Sequence, residues 1–240
     1  MRPLKHIVFY MDYLRFRRQA KASGMYFPFG KFYPCLDERN TDSGSASGHY
    51  FHQDLLVAKR IFKNNPERHV DVGSRIDGFV AHVAVFRKIE VLDVRPLNTT
   101  IPNIIFRQAD LMKTDPNLKN YCDSVSSLHA IEHFGLGRYG DTLDYNGHVK
   151  GLNSIHGLLK QGGKFYLSVP IGPQRIEFNA HRVFSVNYLI ELIHDKYRVD
   201  FFSYVNDEGD LIRNANLNSA EVDDNFGCKY GCGILELTKK

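Results

Sequence analysis

From residue 69 onward, short apolar runs alternate with amphipathic runs, and this alternation constrains the fold more than any other feature. The apolar runs predict seven strands: HVDV, IEVLDV, NIIFRQADL, SVSSLHAI, KFYLSVP, YRVDFFSYV and CGILELTKK. Helical runs lie between them: DGFVAHVAVF, NGHVKGLNSIHGLLK and VFSVNYLIELIHD. Strands that alternate with helices are typical of a parallel sheet covered on both faces. We therefore expect an α/β fold with a mostly parallel, seven-stranded sheet.

The region before this pattern differs in composition. We expect residues 1–60 to form a helical or lid-like segment and residues 61–240 to form the α/β domain. The first residues predict a helix with a basic side and an apolar side, the latter made of Leu4, Ile7, Val8, Met11 and Leu14. We favour packing of the apolar side on the domain, and the alternative is peripheral contact with an anionic membrane. The polar stretch 37–49 is interpreted as a linker or a lid.

Composition excludes several classes of protein. The net charge of +4 is mild, so we predict no nucleic-acid partner. No apolar run approaches the ~20 residues of a membrane span. The first residues have no continuous apolar region and no small-residue cleavage site, so we expect them to be a poor secretory signal. The four cysteines have no Cys-x-x-Cys spacing. These features predict a cytoplasmic protein with reduced thiols.

Polar residues stand where the predicted strands end. In parallel α/β sheets, ligands bind outside the carboxyl ends of the strands, where the strand order reverses. The first four strands deliver, in chain order, Asp71, Gly73 and Ser74, then Asp93, then Asp110, then His129, Glu132 and His133. We expect these residues to meet at one edge of the sheet.

The spacing of these residues favours one class of cofactor. Asp93 lies 20 residues beyond Gly73, where a carboxylate accepts hydrogen bonds from ribose hydroxyls. Arg75 occupies the position at which a pyrophosphate-binding loop needs its second glycine, and Asp77 would repel a diphosphate. A ligand made of an adenosine and a positively charged amino-acid tail needs fewer glycines in the loop and is compatible with a nearby carboxylate such as Asp77. S-adenosylmethionine fits that description.

The motifs HVDVGS, EVLDVRP, FRQADL and GLLKQGGKFYLSVP resemble those of class I S-adenosylmethionine-dependent methyltransferases. LHAIEHFGLGRYGDTLDYNGH and FNAHRVFS resemble the DUF268 family, whose function is unassigned. Some members of that family are encoded among surface-polysaccharide genes. The resemblance implies a Rossmann-like methyltransferase fold and S-adenosylmethionine as cofactor. It also suggests polysaccharide biosynthesis as the setting.

The resemblance also implies roles for individual residues. Asp71 would bind the cofactor's amino group, directly or through water, and Gly73 and Ser74 would admit its methionine portion. Asp93 would accept from both ribose hydroxyls. Asp110 would accept from the adenine amino group, with Leu111 offering a backbone N–H. His129 is grouped with these cofactor-binding residues, although it could equally be a core histidine.

Methyl transfer to a hydroxyl group usually needs a base, and histidine suits that role because its pKa lies near neutrality. His133 is the first candidate, with Glu132 orienting its ring, and His181 is the rival. We assign Arg138, Tyr139 and Arg182 to acceptor binding, the first two on a glycine-rich, mobile-looking loop. A divalent cation held by Glu132, His133 and Asp141 is an alternative that we do not favour, so no metal ligand is assigned.

The preferred hypothesis is therefore an O-methyltransferase acting on a carbohydrate or surface-glycan precursor. The expected partner is thus a small-molecule or glycan acceptor, with a nucleotide-linked acceptor as one form. An NAD-linked sugar-modifying enzyme and a degenerate methyltransferase fold that only binds a partner are the alternatives. The sequence predicts no oligomeric state.

Overall fold

The computed structural model describes residues 2–113 and 115–240, and it divides into two compact units, Met1–Ser45 and Ala46–Lys240. This boundary precedes the one expected after residue 60. The reason is the helix α2 (His49–Asn64), which we had placed in the N-terminal segment. It buries Leu56, Val57 and Ile61 in the core of the second unit.

The first unit is built on a long helix, α1 (Arg2–Ala22), as the spacing of apolar residues predicts. Its Tyr13 ring packs against Phe32, with ring centroids 4.6 Å apart, and Lys5 forms an ion pair with Asp37 at 2.7 Å. Leu4 and Met11 remain more than 60% exposed. The apolar side is therefore not buried within its own unit.

The second unit contains a large sheet and a small hairpin. Six strands of the sheet run in one direction and two run against it, in the order β3-β2-β1-β4-β5-β10-β8-β9. The strands are β1 (His69–Val72), β2 (Ile89–Asp93), β3 (Ile104–Gln108), β4 (Cys122–Leu128), β5 (Leu159–Ile171), β6 (Arg175–Glu177), β7 (His181–Val183), β8 (Tyr197–Val205), β9 (Leu211–Ile212) and β10 (Gly231–Lys239). The predicted fold class is confirmed. The sheet has eight strands rather than seven because the short β9 pairs with the end of β8.

The order of the strands places the ligand-binding crevice. β1 pairs in parallel with β2 on one side and with β4 on the other, so the chain changes direction along the sheet at β1. The carboxyl ends of β1, β2, β3 and β4 therefore open onto one edge. The hairpin of β6 and β7 was not predicted from the sequence.

Helices cover both faces of the sheet. α2 and the short α3 (Ala81–Ala84) pack on one face, and α4 (Gly147–Leu158) and α5 (Val186–Ile193) pack on the other. The helix expected over residues 77–86 is short because Gly78 has non-helical backbone angles. A Cβ at Gly78 would lie 2.7 Å from Asp54 Oδ2, so the chain needs glycine there. Within the described residues, no helix has both the length and the hydrophobicity to cross a membrane.

Candidate functional site

A cavity of about 600 Å³ lies at the carboxyl edge of the sheet, within the range of volumes typical of small-molecule sites. Its wall comes from the turns after β1, β2, β3 and β4, the β6–β7 hairpin, and the chain preceding β10. Of the residues predicted to form the site, the wall contains Gly73, Asp93, Asp110, Leu111, His129, Glu132, His133, Arg138, Tyr139 and His181. Most of the predicted site residues therefore line this one cavity.

Asp71 lies behind the wall rather than in it. Its carboxylate is fully buried and accepts hydrogen bonds from the Ser126 hydroxyl (2.6 Å), the Ser74 hydroxyl (2.6 Å) and the Ser74 backbone N–H (3.0 Å). Burial raises the pKa of Asp71 to about 6, and these hydrogen bonds oppose the rise. Asp71 thus fixes the turn after β1 and does not line the cavity, so of the two expected modes of binding a cofactor amino group, direct or through water, its position favours the one through water.

Ser74 also serves the turn rather than the cavity. Its hydroxyl oxygen accepts from the Leu128 N–H at 3.0 Å, which ties the end of β1 to the end of β4. Gly73, by contrast, faces the cavity with φ at +72°, and a Cβ there would lie 3.0 Å from the Ala130 Cβ. The close backbone approach that we predicted at Gly73 is therefore available, whereas the Ser74 side chain is 2% exposed.

Arg75 does not fill the cavity. Its guanidinium donates to the Asp77 carboxylate at 2.8 and 3.1 Å and lies 5.0 Å from the centre of the Tyr50 ring. The side chain is 55% exposed. The arginine thus turns toward its neighbour Asp77 and occupies the rim of the cavity.

Asp93 stands in the wall at the end of β2, with an 11% exposed side chain. Its two carboxylate oxygens already accept hydrogen bonds from the Arg95 guanidinium, at 3.0 and 2.7 Å. The Arg95 guanidinium also lies 4.3 Å from the centre of the Tyr139 ring. A ribose that binds at Asp93 must therefore share the carboxylate with the Arg95 guanidinium or displace it.

Asp110 and Leu111 follow β3 and line the same wall. One oxygen of the Asp110 carboxylate accepts from the Met112 N–H at 3.0 Å, and the other lies 3.5 Å from the Lys113 ammonium. Asp110 thus closes a turn and also presents a partly exposed carboxylate to the cavity. Asp110 is therefore in the predicted position, but part of its hydrogen-bonding capacity is used by its own turn.

His129 and Glu132 form a buried pair after β4. His129 Nδ1 lies 2.8 Å from Glu132 Oε1, and the His129 backbone has φ at +49°. Burial acts to lower the pKa of His129, but Cys232 and Glu132 together outweigh burial and raise this pKa well above its ordinary value. Burial acts to raise the pKa of Glu132, but its partner His129 outweighs burial and the pKa is lowered. The pair therefore favours an imidazolium and a carboxylate.

His133 has the geometry of a base. Its Nδ1 lies 2.7 Å from the Ala180 carbonyl oxygen, which can only accept, so Nδ1 donates. The neutral ring then carries its lone pair on Nε2, and burial lowers the pKa of His133. Glu132 was expected to fix this tautomer, but its nearest oxygen is 3.7 Å from His133 Nε2. The Ala180 carbonyl fixes the tautomer instead, because Glu132 is taken by His129.

His181 reaches the cavity from the β6–β7 hairpin. Its Nε2 lies 3.0 Å from Glu177 Oε2, and its ring centroid lies 5.1 Å from that of Tyr230. Nε2 of His181, the rival candidate for the base, therefore already has the Glu177 carboxylate as its neighbour. His133 Nε2, by contrast, has no partner closer than the 3.7 Å contact with Glu132 among the described residues.

The loop that carries Arg138 and Tyr139 is held in place, although its glycines suggested mobility. Asp141 accepts from the backbone N–H groups of Gly135 (2.7 Å), Gly137 (3.4 Å) and Tyr139 (3.2 Å). Asp141 therefore shapes the loop and pairs with neither Arg138 nor His133. Arg138 and Tyr139 line the cavity as predicted.

Arg182 does not line the cavity. Its position therefore does not fit the acceptor-binding role that we predicted for it. The side chain is buried and donates to the carbonyl oxygens of Phe134 (2.6 Å), Tyr145 (3.1 Å) and Glu132 (3.3 Å). Burial lowers the pKa of Arg182. The residue is a clamp that holds the loop after β4 against β7.

Sequence reasoning missed Tyr50, Arg95 and Tyr230, which all line the cavity. Arg95 could have been predicted from the sequence, because it stands two residues after Asp93 and its side chain can reach back to that carboxylate. Tyr50 and Tyr230 carried none, since they lie far apart in the chain and only the fold brings them to the same wall.

Comparison with known proteins identifies a family. The family model described as "Caenorhabditis protein of unknown function, DUF268" matches residues 91–227, more than half of the chain. No curated protein matches the sequence.

Solved structures share the fold at low sequence identity. The [4+2]-cyclase SpnF is 15% identical, with a TM-score of 0.56, over 78% of this chain and 80% of its own. The 1,6-didemethyltoxoflavin-N1-methyltransferase of Burkholderia thailandensis, solved with S-adenosylhomocysteine, is 15% identical (TM-score 0.54, 78% of both chains). The N-methyltransferase NodS of Bradyrhizobium japonicum WM9, also with S-adenosylhomocysteine, is 10% identical (TM-score 0.52, 80% of this chain, 88% of that chain). The chain thus has the Rossmann-like fold of class I S-adenosylmethionine-dependent methyltransferases.

Proposed function

The chain belongs to the DUF268 family, and we propose that it is an S-adenosylmethionine-dependent methyltransferase that O-methylates a carbohydrate or glycan precursor. The fold alone does not decide this, since SpnF shares it and is described as a cyclase. The observation that carries the proposal is the cavity wall. Asp93 and His133 line one cavity, which supplies a carboxylate for a ribose and a free imidazole nitrogen for an acceptor.

The cavity wall fits the cofactor. Gly73 leaves room for a ligand at the end of β1, Asp93 offers two carboxylate oxygens, and Asp110 presents a carboxylate beside Leu111. A pyrophosphate would meet the carboxylates of Asp93 and Asp110 in the same wall. The sulfonium and amino groups of S-adenosylmethionine carry positive charge, which these carboxylates favour. The carboxylates of Asp93 and Asp110 therefore support S-adenosylmethionine over NAD in this proposal.

S-adenosylmethionine supplies an electrophilic methyl group on a positively charged sulfur. The reaction would be an in-line displacement: the acceptor oxygen would bond to the methyl carbon as the carbon–sulfur bond breaks, and the electron pair of that bond would stay on sulfur. His133 Nε2 takes the proton of the acceptor hydroxyl group. The carbonyl of Ala180 holds the ring so that this nitrogen is the one without a proton. Alignment of acceptor and methyl supplies much of the remaining rate.

The acceptor side of the cavity suits a sugar with an anionic substituent. Tyr139 and Tyr230 provide aromatic rings of the kind that pack against sugar rings, and Arg138 provides an exposed positive charge that could pair with a phosphate. A nucleotide-linked sugar combines both features. This acceptor class is also the one suggested by the setting of related family members.

The test is methyl transfer from labelled S-adenosylmethionine to a panel of nucleotide sugars and phosphorylated sugars. We expect labelled product and stoichiometric S-adenosylhomocysteine with at least one member of the panel. Binding of S-adenosylmethionine with no transfer to any member would contradict the acceptor class. Binding of NAD but not of S-adenosylmethionine would contradict the whole proposal.

Two matched variants sharpen the result. His133→Gln should lower turnover by about 10²–10⁴-fold, the usual contribution of a general base, with little change in cofactor affinity. His156→Gln removes a histidine that lies in α4 away from the cavity and should leave turnover unchanged. Equal turnover in the His133 variant and the wild type would contradict the role of His133 as base.

A further inference from the structure

A second cluster of side chains includes His129 and takes no part in the proposed methyl transfer. It contains His49, which begins α2, His129, which follows β4, and Cys232, which lies in β10. One ligand atom from each, two imidazole nitrogens and the thiol sulfur, lies within 4.8 Å of the other two. Three distant parts of the chain thus bring metal-binding side chains to one point.

His129 presents an unused nitrogen to this point. Because Nδ1 donates to the Glu132 carboxylate, Nε2 is the nitrogen that can give up its proton and present a lone pair to a cation. Nε2 is buried and makes no hydrogen bond to any described residue, and the side chain is only 4% exposed. A buried polar atom without a partner is costly, so its position needs an explanation. A bound cation would satisfy it.

The other two members are held in position by the fold. The His49 ring stacks on the His129 ring, with centroids 5.2 Å apart and planes 6° apart. Cys232 is fully buried and is fixed within the sheet, where it pairs with Pro170 and Val205 of the neighbouring strands. The backbones of His49 and Cys232 are thus held by the start of a helix and by a strand, and their side chains remain free to rotate.

We propose that His49, His129 and Cys232 bind a divalent zinc-type cation. Two imidazole nitrogens and one thiolate are ligands that zinc prefers over magnesium or calcium. In a tetrahedral zinc site, Zn–N and Zn–S bonds place ligand atoms about 3.3–3.8 Å apart, so the cluster needs to contract by about 1 Å. Small side-chain rotations supply that change.

Glu132 completes the site from behind. A metal-binding histidine commonly donates its second ring N–H to a carboxylate, which fixes the tautomer and raises the basicity of the ligand nitrogen. The pairing of His129 Nδ1 with Glu132 Oε1 has this arrangement. Three protein ligands leave a fourth coordination position open. Because His129 also lines the cavity, the cation would lie at the cavity wall.

The test measures metal binding by the full chain and does not depend on methyl transfer. The purified protein is loaded with zinc, dialysed, and its metal content is measured; a second sample is loaded with cobalt(II) as a spectroscopic probe. We expect about one zinc per chain, and a thiolate-to-cobalt charge-transfer band in the near ultraviolet. A wild-type protein that retains neither metal would overturn the proposal.

Variants assign the ligands. Cys232→Ser should lose the charge-transfer band, while Cys228→Ser, which removes another buried thiol, should keep it. His49→Ala provides a variant at a half-buried helix start, and it should lose zinc affinity even if Cys232→Ser does not fold. Glu132→Gln should weaken zinc binding by about 10–100-fold. Loss of the band in the Cys228 variant, or unchanged zinc affinity in the His49 variant, would overturn the assigned ligand set.

Discussion

If Arg182 holds the loop after β4 in place, its replacement should lower the stability of the protein by an amount that its hydrogen bonds allow us to estimate. In Arg182→Ala, the carbonyl oxygens of Phe134 and Tyr145 lose donors at 2.6 and 3.1 Å, and that of Glu132 loses a longer one at 3.3 Å. A hydrogen bond from a charged donor contributes about 1.5–3 kcal/mol, so the two short bonds contribute about 3–6 kcal/mol. Removing a buried charge relieves part of its desolvation cost. We therefore expect the free energy of unfolding to fall by about 2–4 kcal/mol, within the range of severe single substitutions.

The assay is urea denaturation of the wild type, Arg182→Ala and Arg182→Lys. The lysine variant keeps the charge but cannot donate to three carbonyls at once, so it should recover only part of the loss. Arg213→Ala is the control, because Arg213 is an exposed arginine of the same unit. It should change the free energy of unfolding by no more than about 0.5 kcal/mol. A loss below about 1 kcal/mol in Arg182→Ala would refute the clamp.

Three further predictions concern the cavity. Arg95→Gln should strengthen S-adenosylmethionine binding by roughly two- to fivefold in calorimetry, because a partly exposed ion pair of about 0.4–1 kcal/mol no longer competes for Asp93. Weaker binding in this variant would mean that Arg95 itself contacts the cofactor. The turnover rate should fall as the pH drops through a value below 6.5, because burial lowers the pKa of His133 and the base works only when deprotonated; a pH–rate profile of His133→Gln that keeps this limb would exclude His133 as its source. Arg75→Gly should change cofactor affinity by less than about tenfold, since Arg75 already turns toward Asp77, whereas a gain of several hundredfold would show that the native loop is closed.

The fold could be predicted from the sequence because each strand carries its own local signal. The apolar runs fix the strands, and the alternation with helices fixes a largely parallel sheet. The positions of Gly73, Asp93 and Asp110 follow directly, since parallel strands deliver their carboxyl ends to one edge. The hairpin of β6 and β7 escaped prediction, because its strands are short and carry no clear alternation of apolar and polar residues.

The roles of individual side chains were harder to predict because they depend on neighbours that are distant in the sequence. Asp71 is buried and accepts a hydrogen bond from Ser126, a residue of β4. Arg182 is buried and donates to carbonyl groups of a loop. Glu132 is within reach of both His129 and His133, and only the backbone conformation decides between them. Sequence spacing gives a residue's place along a strand, but not the partner that its side chain finds.

The central claim is that the cavity at the carboxyl edge of the sheet binds S-adenosylmethionine through Asp93. Calorimetric titration of the wild type and of Asp93→Ala with S-adenosylmethionine, and of the wild type with NAD, tests it most directly. The account predicts saturable binding of S-adenosylmethionine, little or no binding of NAD, and a loss of about 1.5–3 kcal/mol in the variant, the scale of a hydrogen bond to a charged group. Equal affinity in the wild type and the Asp93 variant, or preference for NAD, would contradict it.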